Sequence, residues 1–137
     1  MEITTSYEQV RDPEAIGDVI RAILGAECEV DRDKEHLWVI GVDTRKVIKY
    51  IELVSLGTLT ETVIHPREVF RFAILKGVDA IILAHNHPSG CINPSEQDRM
   101  VTHRLVECGR LLGISVVDHV IVTADGYYSF FKQGVLL

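Results

Sequence analysis

VDAIILAHNHPSGCINPSEQDRMVTHRLVECGRLLG, residues 78–113, is the stretch whose reading decides how this chain folds. VDAIILAH (78–85) is a short, nearly all-apolar run, the pattern of a central strand buried on both faces. Pro-Ser-Gly then turns the chain. A long helix is predicted over about 94–112, with Val101, Leu105, Cys108 and Leu112 on one face and Gly113 closing it. A buried strand, a turn and a helix in this order imply an α/β domain with one sheet and helices packed on it.

The same stretch carries the candidate chemistry. His85 and His87 have the same parity on an extended chain, so both imidazoles point the same way. Asn93 or Ser95 can cap the helix, which places Asp98 in its first turns. Positions 98, 101 and 105 follow i, i+3, i+7, so Asp98 lies on the core-facing stripe. A carboxylate there needs a partner. Two histidines and an aspartate are three nitrogen and oxygen donors, the composition of a catalytic zinc site with one position left open. Manganese or iron also suits such a set. Ser95, one turn before Asp98, is a candidate hydrogen-bond donor to an oxyanion, and a hydrolytic site also wants a proton acceptor. Glu52 is the candidate, because it shares parity with Ile48, Tyr50 and Val54 and interrupts a largely apolar face.

Outward from this core, Asp12-Pro13 starts a helix with the stripe Ile16, Val19, Ile20, Ile23 and Leu24, ended by Gly25. Strands are predicted at 37–43, 46–55, 58–64, 114–122 and within 124–130, and a helix at 65–77. The expected order is αβββαβαββ, a single domain over residues 1–137. His65 reads as a helix cap, and His119 as a strand residue hydrogen-bonded within the fold. His36 and His103 read as surface residues, and Trp38 and the tyrosines as core or rim.

Composition narrows the function. The chain is 47% hydrophobic, enough for a core, and no apolar run is long enough to span a bilayer. The formal net charge of −6 does not favour DNA held through its phosphates. Cys28, Cys91 and Cys108 are odd in number and lack CxxC spacing, so reduced thiols and a cytoplasmic location are expected. Cys91 reads as a turn residue, or as a thiolate able to reach the open metal position. The deaminase pattern H-x-E…P-C-x-x-C is absent. A nuclease, or a non-catalytic module that binds protein or nucleic acid, is the alternative to a metal-dependent hydrolase.

HNHPSG followed by PSEQD matches the His-x-His, seven residues, Ser-x-x-Asp signature of the JAB/MPN (JAMM-motif) metalloprotease superfamily. With ELVSLGTL, HPREVF, GRLLGISVVDHVIV and YYSF in order, the chain resembles the RadC branch of that superfamily, associated with bacterial DNA repair, over about residues 12–131. The resemblance implies a mixed sheet flanked by helices, like that of cytidine deaminases. It implies one Zn2+ held by His85, His87 and Asp98, with Glu52 as acid/base and Ser95 at the oxyanion. The implied substrate is a peptide or protein with an amide or isopeptide bond. The helix-hairpin-helix region found in longer RadC proteins has no counterpart in this sequence. Oligomeric state is left open.

Overall fold

The computed structural model describes residues 2–3, 10, 12–60 and 62–136. In chain order the elements are β1 (Glu2–Ile3), α1 (Pro13–Gly25), α2 (Glu29–Arg32), β2 (His36–Val42), β3 (Ile48–Leu56), α3 (Pro66–Lys76), β4 (Ala80–Asn86), α4 (Glu96–Leu112), β5 (Ser115–Val122) and β6 (Tyr127–Ser129). The strands form one six-stranded sheet in the order β1-β3-β2-β4-β5-β6. β4 and β5 are parallel, and every other pair is antiparallel. A parallel pair needs a crossover, and α4 supplies it. This is the α/β architecture expected: one mixed sheet flanked by helices.

Alternation along the strands divides the core in two. Leu37, Val39, Ile81 and Leu83 face α3 and α4, where Phe70, Val101 and Leu105 meet them. Trp38, Ile40, Ile82 and Ala84 face α1, packing with Ile16 and Ile20. All seven residues of β2 are buried, as a central strand covered on both sides requires. α1 starts as its sequence predicts: the Asp12 carboxylate accepts from the Ala15 N–H at 2.9 Å, and Pro13 opens the first turn.

Three expectations are corrected. Residues 58–64 form no strand among the described residues. β3 is already paired on both edges, so no partner remains there. The segment turns instead, with the Val63 and Ile64 N–H groups on the Thr60 carbonyl, and buries Leu59 and Ile64 against the α3/α4 side. Ile48 does not share a face with Tyr50 and Glu52, because the β2–β3 register shifts between Gly41 and Val42 and sends Ile48 to the α1 side. The buried stripe of α4 runs through Asp98, Val101, Thr102, Leu105, Val106 and Gly109 and leaves Leu112 half exposed. A straight 3.6-residue helix drifts off an i+7 line in this way.

Gly109 lets α4 lie close to the start of β5. A Cβ there would meet the Ile114 carbonyl oxygen at 2.3 Å and the Phe70 ring at 3.4 Å. Gly109→Ala is expected to lose roughly 1–3 kcal/mol in a urea melt, the usual cost of overpacking.

Candidate metal centre

The centre lies where β4 ends. β4 delivers His85 from the sheet, and the chain leaves the strand with the His87 N–H on the Val122 carbonyl at 3.0 Å. A turn closed by the Gly90 N–H on the His87 carbonyl then reverses it, with Gly90 at φ 88°. Gly suits that left-handed position. α4 opens with a reciprocal cap: Ser95 Oγ accepts from the Asp98 N–H at 3.0 Å, and Asp98 Oδ2 accepts from the Ser95 N–H at 2.8 Å.

The capping carboxylate is also the centre of the histidine cluster. Asp98 Oδ2 is 3.0 Å from His87 Nε2, and Oδ1 is 3.5 Å from His85 Nδ1. Glu35, just before β2, places Oε1 3.7 Å from His85 Nε2. The two imidazole rings are 4.7 Å apart and nearly perpendicular. Glu35, His85 and His87 bring one donor atom each within 4.8 Å of one another. His85 and Asp98 are buried.

Two observations fit a divalent cation here. Neither ring nitrogen of His85 has a hydrogen-bond partner, although both are buried. Such orphaned groups are costly and call for a ligand. His87 Nδ1 lies 2.7 Å from the Cys91 carbonyl, which can only accept. Nδ1 is therefore held as a donor, and Nε2, which donates to Asp98 Oδ2 at 3.0 Å here, is the nitrogen left to turn to a cation in place of its proton. Cys91 itself is exposed and meets the site through this carbonyl.

Burial pushes the Asp98 carboxyl up, but the His87 contact, the Ser95 N–H and the two imidazoles together hold it well below the usual range. Asp98, against the opposing effect of burial, raises His87. The contact with His85 lowers Glu35, also against burial.

Of the sequence-predicted residues, His85, His87 and Asp98 come together and Ser95 touches Asp98. Glu52 is placed elsewhere on the same side of the sheet. It pairs with Val39, which pairs with Leu83, so it lies two strands over and two residues back from His85. That is a lateral offset of roughly 10 Å. Glu52 Oε2 meets Arg71 at 3.4 Å, while Oε1 is buried without a partner. Glu35 was not anticipated. It sits in the charged run DRDKEH (31–36), where nothing local distinguishes it. The pairing of Leu37 with His85 is what brings Glu35 to the histidines.

His36, read as a surface residue, is buried. Its ring stacks on Trp38 at 4.8 Å, and its Nε2 meets Glu27 at 2.7 Å. His65 occupies the cap position of α3 without a side-chain cap bond. His103 is exposed, as expected. A cleft of about 400 Å³, lined in part by Arg21, Arg32, Pro88, Gly90 and Thr123, reaches His87. Among the described residues no helix is long and apolar enough to cross a membrane.

The β4-turn-α4 unit thus gathers two histidines and an aspartate at the end of a mixed sheet. The chain belongs to the RadC-like JAB domain family, whose match covers residues 10–135. It is 42% identical over 131 residues to a UPF0758 protein of Chlorobium chlorochromatii, covering 96% of this chain and 58% of that one. It is 49% identical over 102 residues to a UPF0758 protein of Symbiobacterium thermophilum, covering 74% and 44%. A UPF0758 protein of Thermotoga maritima is 40% identical over 129 residues, covering 94% and 58%. The chain spans about half the length of the curated relatives it matches.

Burial raises the Glu52 carboxyl, only partly offset by Arg71. The folded state therefore holds this proton more tightly than the unfolded chain does. Its destabilising effect is absent below the ordinary glutamate range and complete above the raised folded value. Glu52→Gln is expected to melt higher than the parent at pH 8 and at the same temperature near pH 4. Thermal denaturation at the two pH values checks this.

Proposed function

We propose that this domain is a zinc-dependent hydrolase of amide bonds, of peptidase or isopeptidase type. The observation that carries the reading is His85: a buried imidazole with both nitrogens unpartnered, set between Asp98 and Glu35 and beside His87. His85, His87 and Asp98 would hold one Zn2+. A zinc ion in such a site supplies a Lewis acid for a carbonyl and acidifies water to a pKa of about 7.

The chain's own residues would do the rest. The Cys91 carbonyl holds His87 in one tautomer, and the Ser95 cap holds Asp98. Glu35 is partly exposed, lies at the cluster and is kept ionised by His85, so it is the group placed to take a proton from water and return it to the leaving amine. Ser95 Oγ accepts from the Asp98 N–H but keeps its own hydrogen, free to be donated to a developing oxyanion. Glu52 is the second candidate for the proton, favoured by its unpartnered buried oxygen.

Metal analysis of protein purified without added metal tests the reading. We expect about one zinc per chain, lost in His85→Ala, His87→Ala and Asp98→Ala. Against a panel of peptide and isopeptide substrates, Glu35→Gln is expected to keep its zinc and lose about 10²–10⁴-fold in kcat. Ser95→Ala should lose about 10²–10³-fold. The same loss in Glu52→Gln, with Glu35→Gln active, would move the proton to Glu52. A parent that stays metal-free after zinc is added would overturn the hydrolase.

A further inference from the structure

Glu35 stands outside any helix or strand, after the end of α2 and just before the first residue of β2. Three backbone groups around it are nevertheless held. Its own carbonyl accepts from the Gly57 N–H at 2.7 Å, on the β3 side. On the β4 side the partner is a side chain. Asn86 Oδ1 accepts from the His36 N–H at 2.5 Å, and Asn86 Nδ2 donates to the Lys34 carbonyl at 3.0 Å. Asn86 is buried and is the last residue of β4, between the two histidines of the centre. The pairing of β4 with β2 ends at His85 and Leu37. One residue further on, the Asn86 amide satisfies backbone groups that a strand partner would otherwise have to meet.

The chemistry of this clamp is specific. An N–H only donates and a carbonyl only accepts, so the clamp needs one acceptor and one donor side by side. A primary amide carries both, and a carboxylate has no donor. By alternation, the Asn86 and His85 side chains leave β4 on opposite faces. Glu35 Oε1 is on the His85 side, 3.7 Å from His85 Nε2. The Glu35 side chain is 31% exposed, so packing alone does not fix it and its placement depends on the backbone beneath. We propose that Asn86 is a positioning residue for Glu35: its amide grips the Lys34 carbonyl and the His36 N–H, and so aims the Glu35 carboxylate at the metal centre. This rests on the reading of Glu35 as the proton acceptor. The His36 ring supports the same grip, with Nδ1 2.8 Å from the Lys34 carbonyl. A shift of about 1 Å in a reacting group is worth about 10²-fold in rate, so a residue that touches no reacting atom matters here.

Spectra of the isotope-labelled, metal-free full chain test the placement without turnover. In the parent we expect slowly exchanging Asn86 side-chain amide protons, a rigid Glu35 backbone, and nuclear Overhauser contacts between the Glu35 methylenes and the His85 ring. Asn86→Asp keeps the acceptor and loses the donor, and Asn86→Leu loses both. In either variant, with the remaining spectrum that of the folded parent, those contacts should disappear and Glu35 should become mobile. A merely structural Asn86 lowers the melting temperature and leaves the contacts in place, which overturns the proposal. A parent whose Asn86 amide exchanges as freely as a solvated one also overturns it, and that result needs no variant to fold. Zinc content should stay at the parental level, and its loss in both variants would make Asn86 part of the metal scaffold instead. On a substrate that the parent cleaves, kcat should fall about 10–10²-fold with KM within about twofold of the parent. If Glu35→Gln is fully active, or the parent cleaves nothing, the reading of Glu35 falls separately. The Glu35–His85 contacts then still decide whether Asn86 places the carboxylate.

Discussion

Asp98 is asked to do two things with one carboxylate. Its Oδ2 completes the cap of α4 through the Ser95 N–H, and the same oxygen faces His87. A helix start has orphan N–H groups that need acceptors, and a buried carboxylate needs positive or hydrogen-bonding partners. Each requirement answers the other. The helix cannot begin elsewhere without leaving Asp98 buried and unpaired, and the histidine cluster cannot form unless the helix begins there. The turn at residues 87–91, the direction of α4 and the depth of the centre follow from that double use.

The sheet supplies the rigidity. β2 and β4 are central, with helices on both faces, so the strand end that presents His85 has little freedom to move. The parallel β4–β5 pair is connected by α4 itself. The crossover that topology demands is thus the element that returns Ser95, Asp98 and Thr102 to the strand they left. β5 adds His119 beside Thr102, and β2 adds Glu35 through its pairing with β4. Three separate segments converge on one end of one strand, as is general for α/β sheets, where sites lie beyond the carboxyl ends of strands.

Where prediction of the strands from sequence went astray, pairing was the reason. TLTETVI (58–64) alternates like a strand, yet alternation states only which residues face inward, and Leu59 and Ile64 do face inward from a turn. No local feature says that both edges of β3 are already taken. Ile48 and Glu52 share parity in the sequence, but one register shift puts them on opposite faces. His36 looks like part of a charged surface run, and its burial against Trp38 and Glu27 is a long-range fact.

By itself the sequence determined the class of fold, the buried strand and the helix that follows it, and the grouping of His85, His87, Ser95 and Asp98. All of these are written in short-range spacing, through the period of 2 in strands, the 3.6 residues of a helical turn and the chemistry of caps and turns. Only the tertiary structure decided which other acid and which other imidazole meet that group. Glu35 lies fifty residues before His85 and reaches it through the β2–β4 register. His119 lies on the strand after the crossover and reaches it through Thr102. Strand order and register are set by the burial of many apolar side chains at once, and no window of sequence contains that sum.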